Sequence, residues 1–595
     1  MDESIDIRVL EQFVPYEEGA ESEVLGVLEQ AADRSAGSGA GTGALSRTIA
    51  ETGAQLVALE GSLARAQALA TRCGDLANVT VVASSLDEFR DADGFDVVVA
   101  VGVLEYASSR RDGASGAQAF LERARSLLRP DGALLLAIEN QLGLRYLLGA
   151  PEDHLGEAYV GVEGYLHKSG PRTYSRRELG RMLTEAGFPH QWWAASFPDY
   201  KLPSAILSQA VYSLPEAARL IDQFVPEIVS KTPFPISSPA APEAVHRTFL
   251  QAGLALDIAN SFLVVAAPSA DALARIDDSV LLWRFDSGRR RRWRRTISVH
   301  DTSAGRVIRR QRAFDGEPAA EGWLTQRCPA YEPLYPGRTL ERLVLEACGT
   351  GDLDAVDACL RRWRGFLSQH VAAWSGRPRP CPFGAGVEET ALPGRFLDVN
   401  LANFVESGDD LAYVDDEWQV ADCVSLELVA LRALWYLARV ILSSCATHPW
   451  SPAASVASLT GMLAARCGLP GDASSIARLH AAECEFLAIV THADPHQIAT
   501  QLAAEGAYTA RGLRRIDELP RSALRADLRE LRERLRTTDD QLQIMSARAH
   551  ELDHELQRIL RRFPARIYLQ LKRLLGRPVM GGTTSRMVDQ HLVDH

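Results

Sequence analysis

The chain has 595 residues, of which 46% are hydrophobic and 24% charged, and its formal net charge is -13. This is the composition of a globular protein and excludes a mostly disordered or fibrous chain. The acidic excess excludes a general nucleic-acid binder, so we expect no nucleic-acid partner. At about 150 residues per domain, the length predicts about three or four folded units.

The spacing of the cysteines and the apolar runs exclude further classes of protein. None of the nine cysteines forms a Cys-x-x-Cys pair, which argues against a zinc site and a disulfide framework. The first ten residues are acidic where a signal peptide would be basic. The apolar stretch Val424–Leu442 carries Glu427, Arg432 and Arg439, which predicts a buried helix and not a membrane span. We therefore expect a cytoplasmic protein.

Residues 1 to about 195 alternate short apolar runs with helical stretches, which predicts an α/β unit with a parallel sheet. Each run is almost uniformly apolar, as expected for strands that are covered on both faces. The predicted strands are Leu56–Leu59, Val79–Val82, Val97–Val101 and Ala133–Ile138. A later run, Ser261–Ala267, could return to the same sheet as its last strand.

A glycine-rich loop precedes a predicted helix over Ala44–Glu51. Gly39, Gly41 and Gly43 alternate there, and such a loop lets a ligand carboxylate or phosphate approach the backbone and the helix N-terminus. Glu60 ends the next strand, and an acid at that position suits the two hydroxyls of a ribose.

Two longer motifs follow, FDxVxxxxVLEY at 95–106 and LLRPDGxLLLAIEN at 127–140. With the glycine loop and the acid-ended second strand, they resemble a class I S-adenosylmethionine (SAM)-dependent methyltransferase over about 24–195, or to 268 if the last strand is included. The resemblance implies a Rossmann-like sheet and SAM as cofactor. It places the three glycines against the methionine part of SAM and Glu60 on the ribose. It also places Ser85 and Leu86 beside the adenine and the segment from Gly102 to Glu105 near the sulfonium.

The segment after the second motif is similar to a bacterial subgroup associated with cell-surface polysaccharide synthesis. The similarity lies in Glu139–Tyr146, Glu152–His154 and Thr173–Phe188. It implies a glycan or related small-molecule acceptor. Methyl transfer to an alcohol needs a group that removes a proton, and we nominate His154 or Glu105.

The chain departs from this family pattern at two positions. The pattern expects an apolar strand that ends in an acid two residues before the first glycine, but Gly37 stands there. The apolar candidate Val24–Leu28 comes about ten residues too early, so either the loop is unusually long or the first strand is lost. Ser85 stands where an acid near the adenine is usual, although a hydroxyl can still hydrogen-bond an amine.

The second half suggests a different chemistry. Strands are predicted at Val280–Phe285, Arg294–Val299 and Val307–Arg312, and helices from about 337 to 510. Asp398-x4-Asn403, with Asp415 a dozen residues later, resembles the catalytic and metal loops of protein kinases and aminoglycoside phosphotransferases. The resemblance implies Asp398 at an acceptor hydroxyl, and Asn403 and Asp415 on Mg²⁺ beside ATP. An acidic surface loop in a helical domain is the alternative.

The strongest local positive charge is the run Arg289–Arg295, interrupted by Trp293. An exposed arginine hairpin is the simplest interpretation. The alternative is a surface that attracts an anionic glycan, nucleotide or lipid head group.

Apolar residues recur at alternating spacings of four and three from Leu524 to Phe563, and only Thr538 interrupts them. This heptad pattern predicts a left-handed coiled coil over 520–563, and self-association into a homo-oligomer is the favoured consequence. Folding back onto its own domain is the alternative. The basic amphipathic segment and tail at 564–595 could contact an anionic membrane surface or a partner, which would make the protein membrane-peripheral.

The sequence thus predicts an α/β methyltransferase sheet, an α+β kinase-like domain and a C-terminal coiled-coil helix. The expected boundaries are 1–268 (with a helical insertion at about 205–255), 275–510, 520–563 and 564–595. The predicted function is SAM-dependent methyl transfer, with a kinase-like domain appended. The alternative is a non-catalytic scaffold that recruits glycan-assembly enzymes through its coiled coil.

Overall fold

The computed structural model describes residues 23–28, 44–107, 114–166, 170–226, 228, 242–274, 276–286, 288–303, 305–313, 319–372, 381–386, 389–408, 410–444, 448–451 and 453–508. All of them belong to one compact unit, Met1–Leu513. The predicted coiled coil at 520–563 and the basic tail at 564–595 lie outside the described residues, so they stay predictions, and so does the homo-oligomer.

The strands, numbered in chain order, are β1 Glu23–Leu28, β2 Gln55–Glu60, β3 Val79–Ala83, β4 Phe95–Val101, β5 Leu128–Glu139, β6 His190–Phe197, β7 Ala205–Ser208, β8 Ser261–Ala267, β9 Val280–Phe285, β10 Arg295–Thr302, β11 Gly305–Arg312, β12 Ala320–Glu321, β13 Leu324–Gln326, β14 Tyr331–Pro333, β15 Ala391–Pro393, β16 Phe404–Ser407, β17 Asp410–Tyr413, β18 Trp418–Val420 and β19 Cys423–Ser425. Among the described residues, twelve of these strands form one sheet in the order β14-β11-β10-β9-β7-β6-β8-β5-β4-β1-β2-β3.

The helices are α1 Ala44–Glu51, α2 Leu63–Arg72, α3 Leu104–Ala107, α4 Ala114–Ser126, α5 Leu144–Leu147, α6 Arg176–Glu185, α7 Ala217–Phe224, α8 Pro242–Gln251, α9 Ala270–Leu273, α10 Leu340–Thr350, α11 Leu353–Gln369, α12 Leu426–Ser444, α13 Val456–Arg466, α14 Ala473–Val490 and α15 Pro495–Ala507. Short 3₁₀ turns occupy Gln209–Ser213, Arg291–Trp293, Gly394–Phe396 and Leu401–Asn403. Within the described ranges, no helix combines the length and the apolar character needed to cross a membrane.

The first strand is present and lies in the middle of the five parallel strands, in the order β5-β4-β1-β2-β3. β1 pairs in parallel with β2 on one side and with β4 on the other. The apolar run that seemed misplaced in the sequence is therefore a strand of this sheet, and the interpretation that the strand is lost is wrong. Residues 29–43, which join β1 to α1, lie outside the described residues, so the long loop stays a prediction.

The strand order reverses at β1, where β2 lies on one side and β4 on the other. In open α/β sheets of this kind, ligands bind beyond the carboxyl ends of the strands at the reversal. β4 and β5 are also parallel, and β8 then inserts between β5 and β6, antiparallel to both. The prediction that Ser261–Ala267 returns to the sheet is confirmed, but its predicted place as the last strand is wrong, because β8 lies inside the sheet and later strands extend it. The fold is thus a mixed, Rossmann-like sheet with helices.

Both faces of the central strands are covered. Val98 and Ala100 of β4 pack into one hydrophobic core, whereas Val97 and Val99 pack into another. Side chains alternate between the faces of a strand, so each face of the sheet has its own core. This explains why the strand sequences are uniformly apolar.

The strands of the second region extend the same sheet. β7 pairs with β6 and also with β9, and β9, β10 and β11 continue as an antiparallel meander. β9 matches the predicted strand Val280–Phe285, and β10 and β11 contain most of the other two. From Leu340 onward the described chain is mostly helical, as predicted, and α12 is a buried helix.

The arginine run is not an exposed hairpin. Trp293 and Arg295 are buried, and Arg289 forms an ion pair with the buried Glu417. Arg292 pairs with Glu321, 2.9 Å from its carboxylate. The exposed-hairpin interpretation is therefore wrong, because carboxylates distant in sequence neutralise the run.

Candidate functional site

Three acidic residues follow or end the parallel strands at one edge of the sheet. Glu60 ends β2, Glu139 ends β5, and Glu105 lies in α3, shortly after β4. The carboxyl ends of parallel strands meet at the same edge. All three side chains are buried.

Glu60 is held by its own connection to α2. Its Oε1 accepts a hydrogen bond from the Ser62 N–H at 2.8 Å and forms an ion pair with Arg65 at 3.1 Å. The residue is only 1% exposed, so its Oε2 is buried, and this oxygen has no hydrogen-bond partner among the described residues. An unsatisfied carboxylate oxygen costs free energy, and a ligand hydroxyl at this place would satisfy it.

The turn after β4 requires glycine. Gly102 has a φ of 62°, in the left-handed region, and its N–H donates to the Ala137 carbonyl at 3.0 Å. A side chain would strain this backbone. The turn leads directly into α3, which buries Glu105.

The structure describes some of the other residues expected around SAM. Ser85 is half-buried, and its carbonyl accepts N–H groups from Glu88 and Phe89. Leu86 packs in the hydrophobic core beside β2 and β4. Gly39, Gly41 and Gly43 lie outside the described residues, so their contact with SAM stays a prediction, as do the assigned roles of the others.

Glu105 is completely buried, and neither of its carboxylate oxygens has a hydrogen-bond partner within the described part of the chain. Burial raises the pKa of this carboxyl to about 7, and the charge of His154 only partly offsets the effect. A carboxyl with such a pKa can accept and return a proton at neutral pH.

His154 lies between two groups of the same edge. Its Nε2 is 3.4 Å from Glu139 Oε2, and its Nδ1 is 3.0 Å from the Tyr106 hydroxyl. Burial opposes the imidazolium, but the nearby charges of Glu139 and Glu105 raise the pKa of His154 to about 9. At neutral pH His154 is therefore protonated.

Glu139 connects this imidazole to a lysine. Its Oε2 accepts a hydrogen bond from the Tyr146 hydroxyl at 2.6 Å, and its Oε1 is 3.0 Å from Lys201 Nζ. Burial opposes its ionisation, but Lys201 and His154 hold the pKa of Glu139 well below its ordinary value. Lys201 Nζ also contacts Asp153 at 2.8 Å.

Sequence reasoning selected Glu105 and His154 but missed their partners. Glu139, Tyr146 and Asp153 lie within the motif segments that carry the polysaccharide-subgroup resemblance, so a signal was present. Lys201 follows β6, and nothing in its local sequence marks it.

The predicted kinase-like residues lie elsewhere and contact arginines. Asp415 has a φ of 57°, and its carboxylate is 2.9 Å from Arg295 and 3.0 Å from Arg310. Burial opposes its ionisation, but these two guanidiniums lower the pKa of Asp415.

Asp398 contacts a different arginine, Arg432. Its Oδ1 accepts a hydrogen bond from Arg432 at 3.1 Å, and Asn403 Nδ2 donates to its carbonyl. Burial raises the pKa of Asp398. The roles predicted for Asp398, Asn403 and Asp415 stay predictions.

Comparison with known families concerns the first region. Residues 38–134 match the model of a family described as a methyltransferase domain. The chain contains a methyltransferase domain. The match covers the glycine-rich loop, Glu60, Gly102 and Glu105, and ends within β5.

The methyltransferase domain also has curated relatives. The chain is 30% identical over 165 residues to the demethylmenaquinone methyltransferase of Tropheryma whipplei strain Twist, over 26% of this chain and 66% of that protein. The corresponding protein of strain TW08/27 matches equally well. The chain thus spans just under two thirds of the length of these relatives.

Solved methyltransferase structures are similar to part of the chain. One is the Burkholderia thailandensis 1,6-didemethyltoxoflavin-N1-methyltransferase with bound 1,6-didemethyltoxoflavin and S-adenosylhomocysteine, at 20% identity, 32% of this chain, 68% of that chain and a TM-score of 0.22. Another is the N-methyltransferase NodS from Bradyrhizobium japonicum WM9 with S-adenosylhomocysteine, at 15% identity, 26% of this chain, 68% of that chain and a TM-score of 0.19.

Proposed function

We propose that the chain is a SAM-dependent methyltransferase that acts on a hydroxyl of a glycan or related small molecule. The observation that carries this proposal is the pair of buried carboxylates, Glu60 and Glu105, at the carboxyl edge of the sheet. One oxygen of Glu60 and both oxygens of Glu105 lack a hydrogen-bond partner in the described chain. The methyltransferase-domain match over 38–134 supports the same reaction class.

The residues at this edge fit SAM. Glu60 Oε2 has no described partner and could accept a hydrogen bond from a ribose hydroxyl, and the turn at Gly102 carries no side chain. Bound SAM supplies a methyl group that its sulfonium has already activated. The protein then has to align the acceptor, exclude water and remove one proton.

Glu105 is the better of the two nominated bases. Neither of its carboxylate oxygens has a hydrogen-bonding side-chain partner within the described chain, and with a pKa of about 7 it is substantially ionised at neutral pH. The other nominee, His154, is already protonated because Glu139 raises its pKa to about 9. We assign His154 the role of a fixed positive charge that stabilises the ionised form of Glu105.

A glycan acceptor is favoured by the polar character of this edge. Tyr106, Tyr146 and Lys201 all contact Glu139 or His154, so the groups around the base are hydrogen-bonding ones. The relatives from Tropheryma whipplei are named for an acceptor of another kind, demethylmenaquinone. A quinol acceptor is therefore the alternative that an acceptor panel should include.

Calorimetric titration with SAM and S-adenosylhomocysteine tests the cofactor assignment. We expect both to bind to the full-length protein and Glu60→Ala to abolish measurable binding. Glu51→Ala, which removes an exposed carboxylate at the end of α1, is the matched control and should bind normally. Absence of heat with the wild-type protein at millimolar ligand would favour the scaffold hypothesis, and unchanged binding by Glu60→Ala would refute the cofactor placement.

A further inference from the structure

A cleft of about 560 Å³ lies beside β6 and β7, away from the residues of the candidate site. This volume is within the range of about 300–1,000 Å³ typical of small-molecule sites. It is lined by none of the candidate-site residues Glu60, Glu105, Glu139 and His154. The lining residues are Arg176, Trp192, Ser208, Gln209, Ala210, Tyr212, Ser213, Gly253, Leu256, Asp257 and Asp278.

The cleft arises because β7 is shorter than its neighbour. β7 ends at Ser208, opposite Ala194, and the chain turns there into the 3₁₀ segment Gln209–Ser213. β6 continues from Ala194 back to His190 without β7 beside it. Trp192 of β6 therefore forms part of the cleft wall.

Hydrogen-bonding groups without partners line this cleft. Ser208 is 1% exposed and stands at the N-cap of the 3₁₀ segment, yet its hydroxyl caps nothing and, among the described residues, has no hydrogen-bond partner. The Tyr212 hydroxyl and Arg176 Nε are likewise buried without such a partner. Native proteins rarely leave such groups unsatisfied, so their concentration in one cleft points to a ligand.

The charges of the lining exclude two ligand classes. The Arg176 guanidinium already hydrogen-bonds Asp257 at 3.2 Å and lies over the Trp193 ring, so it is not available as an anion clamp. Asp257 and Asp278 would repel an anionic ligand. A fully apolar ligand would leave the three unpartnered donors unsatisfied.

We infer that this cleft is a second binding site for a neutral, hydroxyl-rich molecule of the sugar class. Each sugar hydroxyl both donates and accepts, so it can accept from Ser208, Tyr212 or Arg176 and donate to the carboxylates of Asp257 and Asp278. The Trp192 side chain adds an aromatic wall for the apolar face of a sugar ring. The site works independently of methyl transfer and of SAM.

Ligand-observed NMR on the full-length protein without SAM tests this inference. The probes are methyl α-D-glucopyranoside and methyl α-D-mannopyranoside as cyclic sugars, sorbitol as a linear polyol, and inorganic phosphate as an anion. We expect saturation transfer to at least one methyl glycoside. Stronger transfer to sorbitol than to either glycoside would identify a linear polyol as the source of the hydroxyls and overturn the sugar assignment, and a response to phosphate alone would overturn it as well.

Four variants separate this cleft from the rest of the molecule. Ser208→Ala should weaken glycoside binding by about five- to tenfold, the worth of one hydrogen bond. Ala210→Trp, at an exposed rim position, should block the cleft and abolish the signal even if Ser208→Ala perturbs packing.

The matched control is Ser46→Ala, because Ser46 is also a buried serine whose hydroxyl lacks a described partner but does not line the cleft. Ser46→Ala and Glu122→Gln, an exposed change on α4, should both bind glycosides normally. Loss of binding in either control, or retention in Ala210→Trp, would place the glycoside elsewhere and overturn the inference.

Discussion

Buried carboxylates occur in both regions of the molecule, but their surroundings differ. At the sheet edge, Glu60 keeps one oxygen, and Glu105 both, without a partner in the described chain. In the second region, Asp415 contacts Arg295 and Arg310, and Asp398 contacts Arg432.

This difference distinguishes carboxylates that can bind a ligand from carboxylates that support the fold. A buried carboxylate with an unpaired oxygen is costly to keep unless a ligand or proton uses it. A carboxylate held by guanidiniums is satisfied within the protein and joins distant segments, as Asp415 joins the β10–β11 hairpin to the chain after β17. We call Arg295, Arg310 and Arg432, with the carboxylates that they contact, the arginine cluster. We therefore expect substitutions at the sheet edge to affect function, and substitutions in the arginine cluster to affect folding.

The largest effect is expected for Glu105→Gln. The amide keeps the shape of the side chain but cannot accept the acceptor's proton, so kcat should fall by about 10²–10⁴-fold. The assay is release of S-adenosylhomocysteine with a panel of acceptors that includes both glycans and a quinol. Glu122→Gln, an exposed change on α4, serves as the control. Full activity in Glu105→Gln would rule out this residue as the base.

Arg295→Met should be the most destabilising change in the arginine cluster. Arg295 is 1% exposed and contacts Asp286, Asp415 and Glu417, so its loss leaves buried carboxylates short of a partner. The free energy of unfolding in urea should fall by about 3 kcal/mol or more.

The control for this change is Arg181→Met, which removes an exposed i,i+4 pair with Glu185 and should cost less than about 0.5 kcal/mol. Equal stability of the two variants would show that the cluster does not support the fold.

The pH dependence of activity should show the titration of Glu105 and that of His154 as two separate steps. With Glu105 as base, kcat/KM should rise with an apparent pKa near 7 and fall near 9, as His154 loses its proton.

The stability of the fold should also depend on pH through Glu105. Between the ordinary pKa of a glutamate and 7, the folded state holds a proton on Glu105 that the unfolded chain releases. Glu105 therefore lowers stability as pH rises toward 7. Glu105→Gln should remove this decline; an unchanged decline would contradict the assigned pKa.

The smallest difference is expected between two carboxylate-to-amide changes. Asp415→Asn weakens the charge-assisted hydrogen bonds from Arg295 and the ion pair with Arg310, and should cost about 1–3 kcal/mol. Glu60→Gln retains an oxygen for Ser62 and should cost less because its other oxygen has no described partner to lose. Thermal unfolding of both variants measures the difference, and a reversed order would undo the comparison.

The sequence allowed much of the first region to be predicted because its signals are local. Apolar runs located β2, β4 and β8, and the position after a strand identified Glu60. β1 was found as an apolar run but could not be assigned, since its spacing from Gly39 broke the family pattern. Lys201 and Arg295 could not be predicted as site and cluster members, because their partners are distant in sequence and only the folded sheet brings them together.

Hydrogen exchange with and without S-adenosylhomocysteine tests the central claim most directly. Ligand at the sheet edge should slow amide exchange around Leu59–Ser62 and Gly102–Glu105, while the segment from Asp398 to Glu417 exchanges at an unchanged rate. Protection confined to that second segment, or none in either, would contradict the account.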